Sequence, residues 1–211
     1  ALQSDRRVKS ISSFISKKIA DKLHAINSEN QDRYAEIWEY ISPFVKIGIM
    51  EDDKFATQVE KIVLFEYALS KDSDLAETTD KSPIKFNDKV YTTVSDYVER
   101  INDSKDNGAV LYCTDEISQS NALKLWFSQG REVIKAETVI DTQFIPWLEE
   151  RNKDVKFRRV DSDLGDDLQD ENKDLLDKDG NSKNENLRSL IKDALDNEKV
   201  TVQINSLKSS E

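Results

Sequence analysis

The stretch from Val110 to Asp141 limits the fold more than any other part of the chain. It begins VLYCT, a short apolar run bounded by polar residues, as a buried strand is. The segment DEISQSNALKLWFSQGR then sets Ile117, Leu123, Leu125, Trp126 and Phe127 among polar residues and stops at Gly130, a residue suited to a helix C-terminus. Val133, Ile134 and Ala136 supply a second strand. Strand, helix and strand within about thirty residues predict a right-handed βαβ crossover with parallel strands. Parallel strands need cover on both faces, so the neighbouring helices are assigned to that cover and the segment becomes the nucleus of an α/β layer.

Upstream, the pattern is helical. Val8, Ile11, Phe14, Ile15, Ile19, Leu23 and Ile26 recur at spacings of three and four over residues 5–26, with Ser4 or Asp5 as cap. Ser28 and Gln31 have the spacing of a capping box for a second helix whose stripe is Tyr34, Ile37, Trp38 and Ile41. Pro43 is expected to end or kink that helix near Ser42, and Gly48 to turn the chain. Asp52 or Asp53 then opens a third helix carrying Phe55, Val59, Ile62 and Val63. Three amphipathic helices with short links pack most economically on one another.

Residues 68–92 show no period and read as a long surface excursion with a short hairpin around Asn87-Asp88. Ser95 caps a helix with Tyr97, Val98 and Ile101 inward, and the polar stretch 102–108 leads into the βαβ unit. Beyond that unit, Asp141 caps a helix bearing Phe144, Ile145, Trp147 and Leu148, with Pro146 distorting its first turn. Val155 and Phe157 alternate with Lys156 and Arg158 as a third strand.

At Asp161 the composition changes. Residues 161–179 hold nine acids against Lys173 and Lys178, which reads as a solvated linker. Leu187, Leu190, Ile191, Ala194 and Leu195 make another amphipathic helix, and Val200, Val202 and Ile204 alternate as a strand. One helix and one strand cannot bury a core, so this end reads as the truncated start of a second domain. A start at Ala1 without a Met likewise suggests an excised fragment. The division is therefore 1–67 three-helix coil, 68–160 small αβα subdomain, 161–183 acidic linker and 184–211 partial α+β piece.

Charge and composition exclude several functions. A net charge of −11 argues against phosphate-backbone partners, so no nucleic acid is expected. No apolar run approaches the roughly 20 residues of a membrane span, and ALQSDRRVKS lacks the apolar core of a signal peptide. A single cysteine makes no internal disulfide, which fits a reducing cytoplasm.

Candidate sites weigh poorly against their plainer readings. Asp177, Asp179, Gly180 and Asn181 suggest a calcium loop, but Gly180 at the sixth position would put Leu175 where the first carboxylate belongs, so an acidic turn is preferred. Cys113 lies in an apolar strand and His24 on a charged helix, a buried structural thiol and a surface histidine rather than nucleophile and base. No Gly-rich phosphate loop follows any strand. Lys17, Lys18 and Lys22 form the wet side of the first helix. Trp38, Trp126 and Trp147 sit at helical core spacing, with Trp147 the surface candidate.

Six strings in order carry a resemblance. They are Leu2-Gln3, Lys46-Ile47-Gly48-Ile49 with Glu51-Asp52, Tyr97-Val98-Glu99-Arg100, Val110 to Thr114, Gly130-Arg131-Glu132-Val133, and Ile140-Asp141. Together they resemble the second half of the middle domain of the heat-shock protein 90 family, bacterial HtpG type, over about residues 2–160, with a fainter match through 187–207. The resemblance implies a three-helix coil leading into a small three-layer αβα subdomain. It also implies an ATP-driven homodimeric chaperone that binds partly folded clients and possesses other chaperones as partners. ATP and magnesium would serve the full-length parent, with no cofactor in this piece. The family's catalytic loop carries an Arg followed four residues later by a Gln. Gln3 matches that Gln, while the Arg would fall upstream of Ala1. Such an Arg stabilises charge on the transferred phosphoryl group, so Gln3 alone has nothing to act on and this chain is not expected to be an enzyme. Client contacts are expected from Phe144 and Trp147. Thr142 and Gln143 stand where bacterial relatives often carry an acid and an aromatic, a departure from the family pattern. The reading adopted is a chaperone piece serving as scaffold and part of a client-binding face. The alternative is a small-molecule enzyme using the carboxy-terminal edge of the parallel sheet, against which Thr114, Asp115, Glu116, Glu137 and Thr138 at those strand ends offer no Gly-rich turn and no base pair for catalysis.

Overall fold

The computed structural model describes residues 6–68, 83–103, 109–162 and 189–194. The chain divides into two units, Ala1–Asp161 and Ser162–Glu211. In the second, residues 189–194 are helical and Leu190 is exposed. Gln3, the linker beyond Ser162, the calcium-like turn and the strand expected at Val200–Ile204 lie outside the described residues.

The first unit opens with α1 (Arg6–Glu29), α2 (Gln31–Glu51) and α3 (Asp53–Val59), closed by a 3₁₀ turn at Glu60–Ile62. Asn30 rather than Ser28 caps α2, its side chain accepting from Arg33 N at 2.8 Å. The Ser28 hydroxyl donates back to the His24 and Ala25 carbonyls and stays with α1. Asp52 caps α3 through Lys54 N and Phe55 N. Two expected breaks in α2 do not occur. The helix runs through Pro43 and past Gly48, because Trp38 before the proline and Val45, Lys46 and Ile49 after it are all buried. Gly48 serves a close approach instead of a turn. A Cβ there would stand 3.2 Å from the Phe55 ring.

The sheet begins earlier than the sequence pattern suggested, with β1 (Phe65–Glu66), followed by the hairpin β2 (Ile84–Phe86) and β3 (Lys89–Thr92). Asn87 turns that hairpin at φ 53°, a left-handed conformation that Asn tolerates. These strands form an antiparallel sheet ordered β1-β3-β2. After α4 (Val94–Asp103) come β4 (Val110–Cys113), α5 (Ser120–Ser128), β5 (Ile134–Lys135), α6 (Asp141–Arg151) and β6 (Phe157–Arg159). β4 pairs in parallel with both β5 and β6, so the expected crossover is present in a short sheet ordered β5-β4-β6. A bridge between Tyr67 and Ile134, with Ala68 N bonded to the Val133 carbonyl at 2.9 Å, joins the two sheets edge to edge.

Local chemistry corrects the remaining details. Thr93, not Ser95, caps α4. Its hydroxyl accepts from Asp96 N and donates to the Asp96 carboxylate. Ile117 precedes α5 and is 88% exposed instead of lining its stripe. Gly130 ends α5 at φ +68°. Asp141 does not cap α6. It makes a reciprocal box with Thr138 ahead of the helix, Thr138 N and Oγ1 donating to its carboxylate. Pro146 sits within α6, which continues to Arg151. One core cluster reaches from Ala20 and Leu23 in α1 through Tyr34, Trp38 and Ile49 to Phe65, Phe144 and Leu148. The buried indoles are satisfied, Trp38 donating to the Leu64 carbonyl and Trp126 to that of Val160.

Candidate functional site

Two polar locks tie the helical coil to the α/β layer. Lys46 of α2 and Asp141 of α6, 95 residues apart, meet at 2.5 Å with both side chains buried. The Lys46 ammonium also lies 4.8 Å from the centre of the Phe65 ring and 5.7 Å from that of Phe144. With Thr138 on the other carboxylate oxygen, Asp141 has the dense hydrogen bonding that a buried charge pair requires. Its short side chain is fixed twice, so the start of α6 is set against α2. The second lock is Arg151 at the other end of α6. Its guanidinium bonds Glu60 (2.6 Å), Asp53 (3.0 Å) and Thr57 (3.0 Å) and lies 5.2 Å from the centre of the Trp147 ring.

A third network knits the sheets together. Arg100 of α4 donates to Glu132, Thr92 and Tyr67, and Tyr67 donates to Glu132. Tyr97 donates to the Glu132 carbonyl and accepts from Leu111 N. Burial pushes the Tyr67 and Tyr97 hydroxyls well above their ordinary range, so they remain protonated donors. The strings Tyr97 to Arg100, Gly130 to Val133 and Ile140-Asp141 therefore mark joints of the fold rather than a reaction centre.

The expected client residues separate. Phe144 is wholly buried, against Phe65 and Lys46, and presents no surface to a client. Helical geometry explains the correction, since Phe144, Ile145 and Leu148 share the inward face. Trp147 is half-buried, stacked on Phe144 at 5.7 Å and 9° with Arg151 beside it. Thr142 and Gln143 next to it are exposed.

The carboxy ends of the parallel strands are occupied by structural bonds. Gln119 Oε1 accepts from the backbone of Thr114 and Asp115. Asp115 accepts from Ile117 N and Ser118 N, contacts that hold its carboxyl below the usual range. Lys135 bonds Glu116 and Glu66, each at 2.9 Å. Burial opposes its charge, yet these partners hold it above the ordinary lysine value. Cys113 is buried, and that burial, with Glu137 and Glu116 nearby, pushes its thiol up to about 12. His24 instead donates to the Gln58 carbonyl at 2.6 Å, so the structure does not pair it with the thiol. Among the described residues there is no His, Cys, Asp and Glu group able to hold a metal ion, and no helix is long and apolar enough to cross a membrane.

Among the described residues, then, the polar networks interlock a small α/β layer with a helical coil. The family model described as Hsp90 protein matches residues 1–210, and the chain belongs to that family. Its sequence is 33% identical over 163 residues to the chaperone protein HtpG of Porphyromonas gingivalis, covering 77% of this chain and 22% of that protein. It is 29% identical over 201 residues to HtpG of Bacteroides fragilis, covering 92% and 26%. The chain thus spans about a quarter of the length of the curated relatives it matches. A solved middle domain of a Plasmodium falciparum heat shock protein shares the fold, with a TM-score of 0.55 at 16% identity, covering 75% of this chain and 60% of that one.

Proposed function

We propose that this chain is the scaffold portion of an ATP-dependent chaperone, carrying motion between neighbouring domains and lending part of a surface to partly folded clients. The observation that supports this most is the pair of locks on α6, Lys46–Asp141 and Arg151 with Glu60 and Asp53. They make coil and α/β layer move as one lever, which a transmitting element needs. Nucleotide with magnesium, homodimer contacts and co-chaperones belong to the parent protein in this reading, with the whole acting in the cytoplasm. The half-exposed Trp147 beside Thr142 and Gln143 is the client-facing end of α6. Such a surface suppresses aggregation without hydrolysing anything.

Two measurements test it. Light scattering from a thermally denatured client should fall when this chain is added in stoichiometric amount. No suppression by a folded sample would reject client binding. Titration calorimetry with magnesium-ATP should show no saturable heat, and micromolar binding would overturn the scaffold reading.

A further inference from the structure

Trp147 is held between two neighbours on its own helix. Phe144 lies three residues before it and Arg151 four after, the spacings that bring side chains together on one side of a helix. The Phe144 ring stacks on the indole at 5.7 Å and 9°. The Arg151 guanidinium carbon stands over the same ring, 5.2 Å from its centre. The two approach from opposite turns of α6. One aromatic face is therefore given to the core, through a phenylalanine that is wholly buried, and the other meets a cation. A guanidinium suits that place, being planar and more weakly hydrated than an ammonium.

The coil holds Arg151 over the indole. Each guanidinium nitrogen donates to a coil residue, Nε to Glu60, Nη1 to Asp53 and Nη2 to Thr57. A side chain this long gives up its rotamer freedom only where several bonds fix it. The bonds differ in how well they are shielded. Glu60 is 19% exposed and Asp53 90%, so salt and water compete directly for the Asp53 bond. The lock at the other end of α6 is of another kind, with Lys46 and Asp141 only 7% and 2% exposed. The helix is thus pinned by a shielded pair, while the cover on Trp147 is held by a pair that solvent reaches.

We infer that Arg151 is an autoinhibitory cover, held by Asp53 and Glu60 over the face of Trp147 that an apolar client side chain would use. Swinging the guanidinium aside needs no movement of α6 and leaves the Phe144 stack intact. It bares one face of a large, rigid ring, which gains contact area at low entropic cost. The inference rests on the proposed client role of Trp147 and adds its regulation. Conditions that weaken the Asp53 and Glu60 bonds raise holding activity.

Acrylamide quenching of tryptophan fluorescence reads the cover directly, because Trp38 and Trp126 are 3% and 1% exposed and Trp147 is the accessible indole. Arg151→Gln should raise the quenching constant about twofold, the scale of losing one cation–π contact. Sodium chloride at about 0.5 M should move the native chain in the same direction. Arg151→Gln leaves Glu60 without its cation, so the double variant Arg151→Gln with Glu60→Gln repeats the test with no unpaired charge. Lys153→Gln, at an exposed neighbour, should change nothing. Aggregation suppression per folded molecule should rise about twofold in the double variant, and adding Trp147→Ala to it should abolish the rise. Unchanged quenching in both Arg151 variants would show that the guanidinium does not cover the indole, and overturns the inference. So does increased quenching without increased suppression, where the native chain itself suppresses aggregation. If neither the native chain nor any variant suppresses aggregation, the client reading fails first and this regulation falls with it.

Discussion

Lys46 and Asp141 show how far a single residue's role can lie from its sequence neighbourhood. Lys46 reads locally as an ordinary charged helix position and Asp141 as a helix cap, and nothing within a few residues predicts that they meet. Burial makes the pair sensitive to loss of one member. Asp141→Ala leaves an uncompensated ammonium beside Phe65 and should cost about 3–5 kcal/mol in urea unfolding. Thr138→Ala removes only the two box hydrogen bonds of its hydroxyl and should cost about 1–2 kcal/mol. Equal costs would mean that the ion pair contributes nothing beyond the box. Cys113 offers a second test at this scale. Its thiol is raised from 9.0 to about 12 by burial, so the folded state favours the protonated form. Stability from this group is fully present below pH 9 and declines as the unfolded thiol ionises above it. Urea midpoints should therefore fall from pH 8.5 to 10.5 in the native chain and fall less in Cys113→Ala. Parallel pH curves for the two proteins would contradict this.

Elements with strong local signals were legible, and those held by tertiary contacts were not. The apolar run at Val110 and the glycine after Phe127 identified β4, α5 and the crossover to β5. Asp52 could be read as a cap because Asp bonds backbone amides wherever a helix starts. β1 was invisible, since two residues give no alternation to detect. Pro43 and Gly48 misled because burial on both sides of them outweighs their local preference. At the site, the helical wheel separated Trp147 from the inward residues of α6, yet it also makes Phe144 untenable as a client contact. Two substitutions probe these elements. Gly130→Ala places a Cβ on a residue at φ +68° and should cost about 1 kcal/mol by urea unfolding, the full penalty being conformational because no atom lies within 4 Å of the new methyl. A neutral effect would imply that the end of α5 relaxes. Trp147→Ala removes a plate stacked on Phe144 and should lower the melting temperature by several degrees, at about 1–3 kcal/mol. If Trp147 faces clients, aggregation suppression per folded molecule must fall as well. Unchanged suppression would leave it a structural residue.

The whole molecule is uneven in what it can bury. In the first unit one continuous cluster links α1 to α6, with two polar networks tying α6 to the coil and a third joining the sheets. Such a unit has few places to open locally, since loosening α6 exposes Phe144 and also strips partners from Lys46 and Glu60. It should unfold as one cooperative transition, and interior strand amides should exchange only through global unfolding. Val110 N is the marker here, bonded at 2.8 Å to the Lys156 carbonyl in the centre of the parallel sheet. Residues 184–207 have a different balance. Their sequence supplies one amphipathic pattern and one alternating segment, Val200 to Ile204, an apolar content from which low protection is expected. The nine acids of residues 161–179 add like-charge repulsion beside them. Hydrogen exchange on a dilute monomeric sample should therefore find Val202 exchanging orders of magnitude faster than Val110, through openings that cost only a small part of the global unfolding free energy. Raising the salt concentration should narrow the gap slightly, by screening the acidic run. Protection of Val202 equal to that of Val110 would show that the second unit draws its stability from the first and that the chain unfolds as one body.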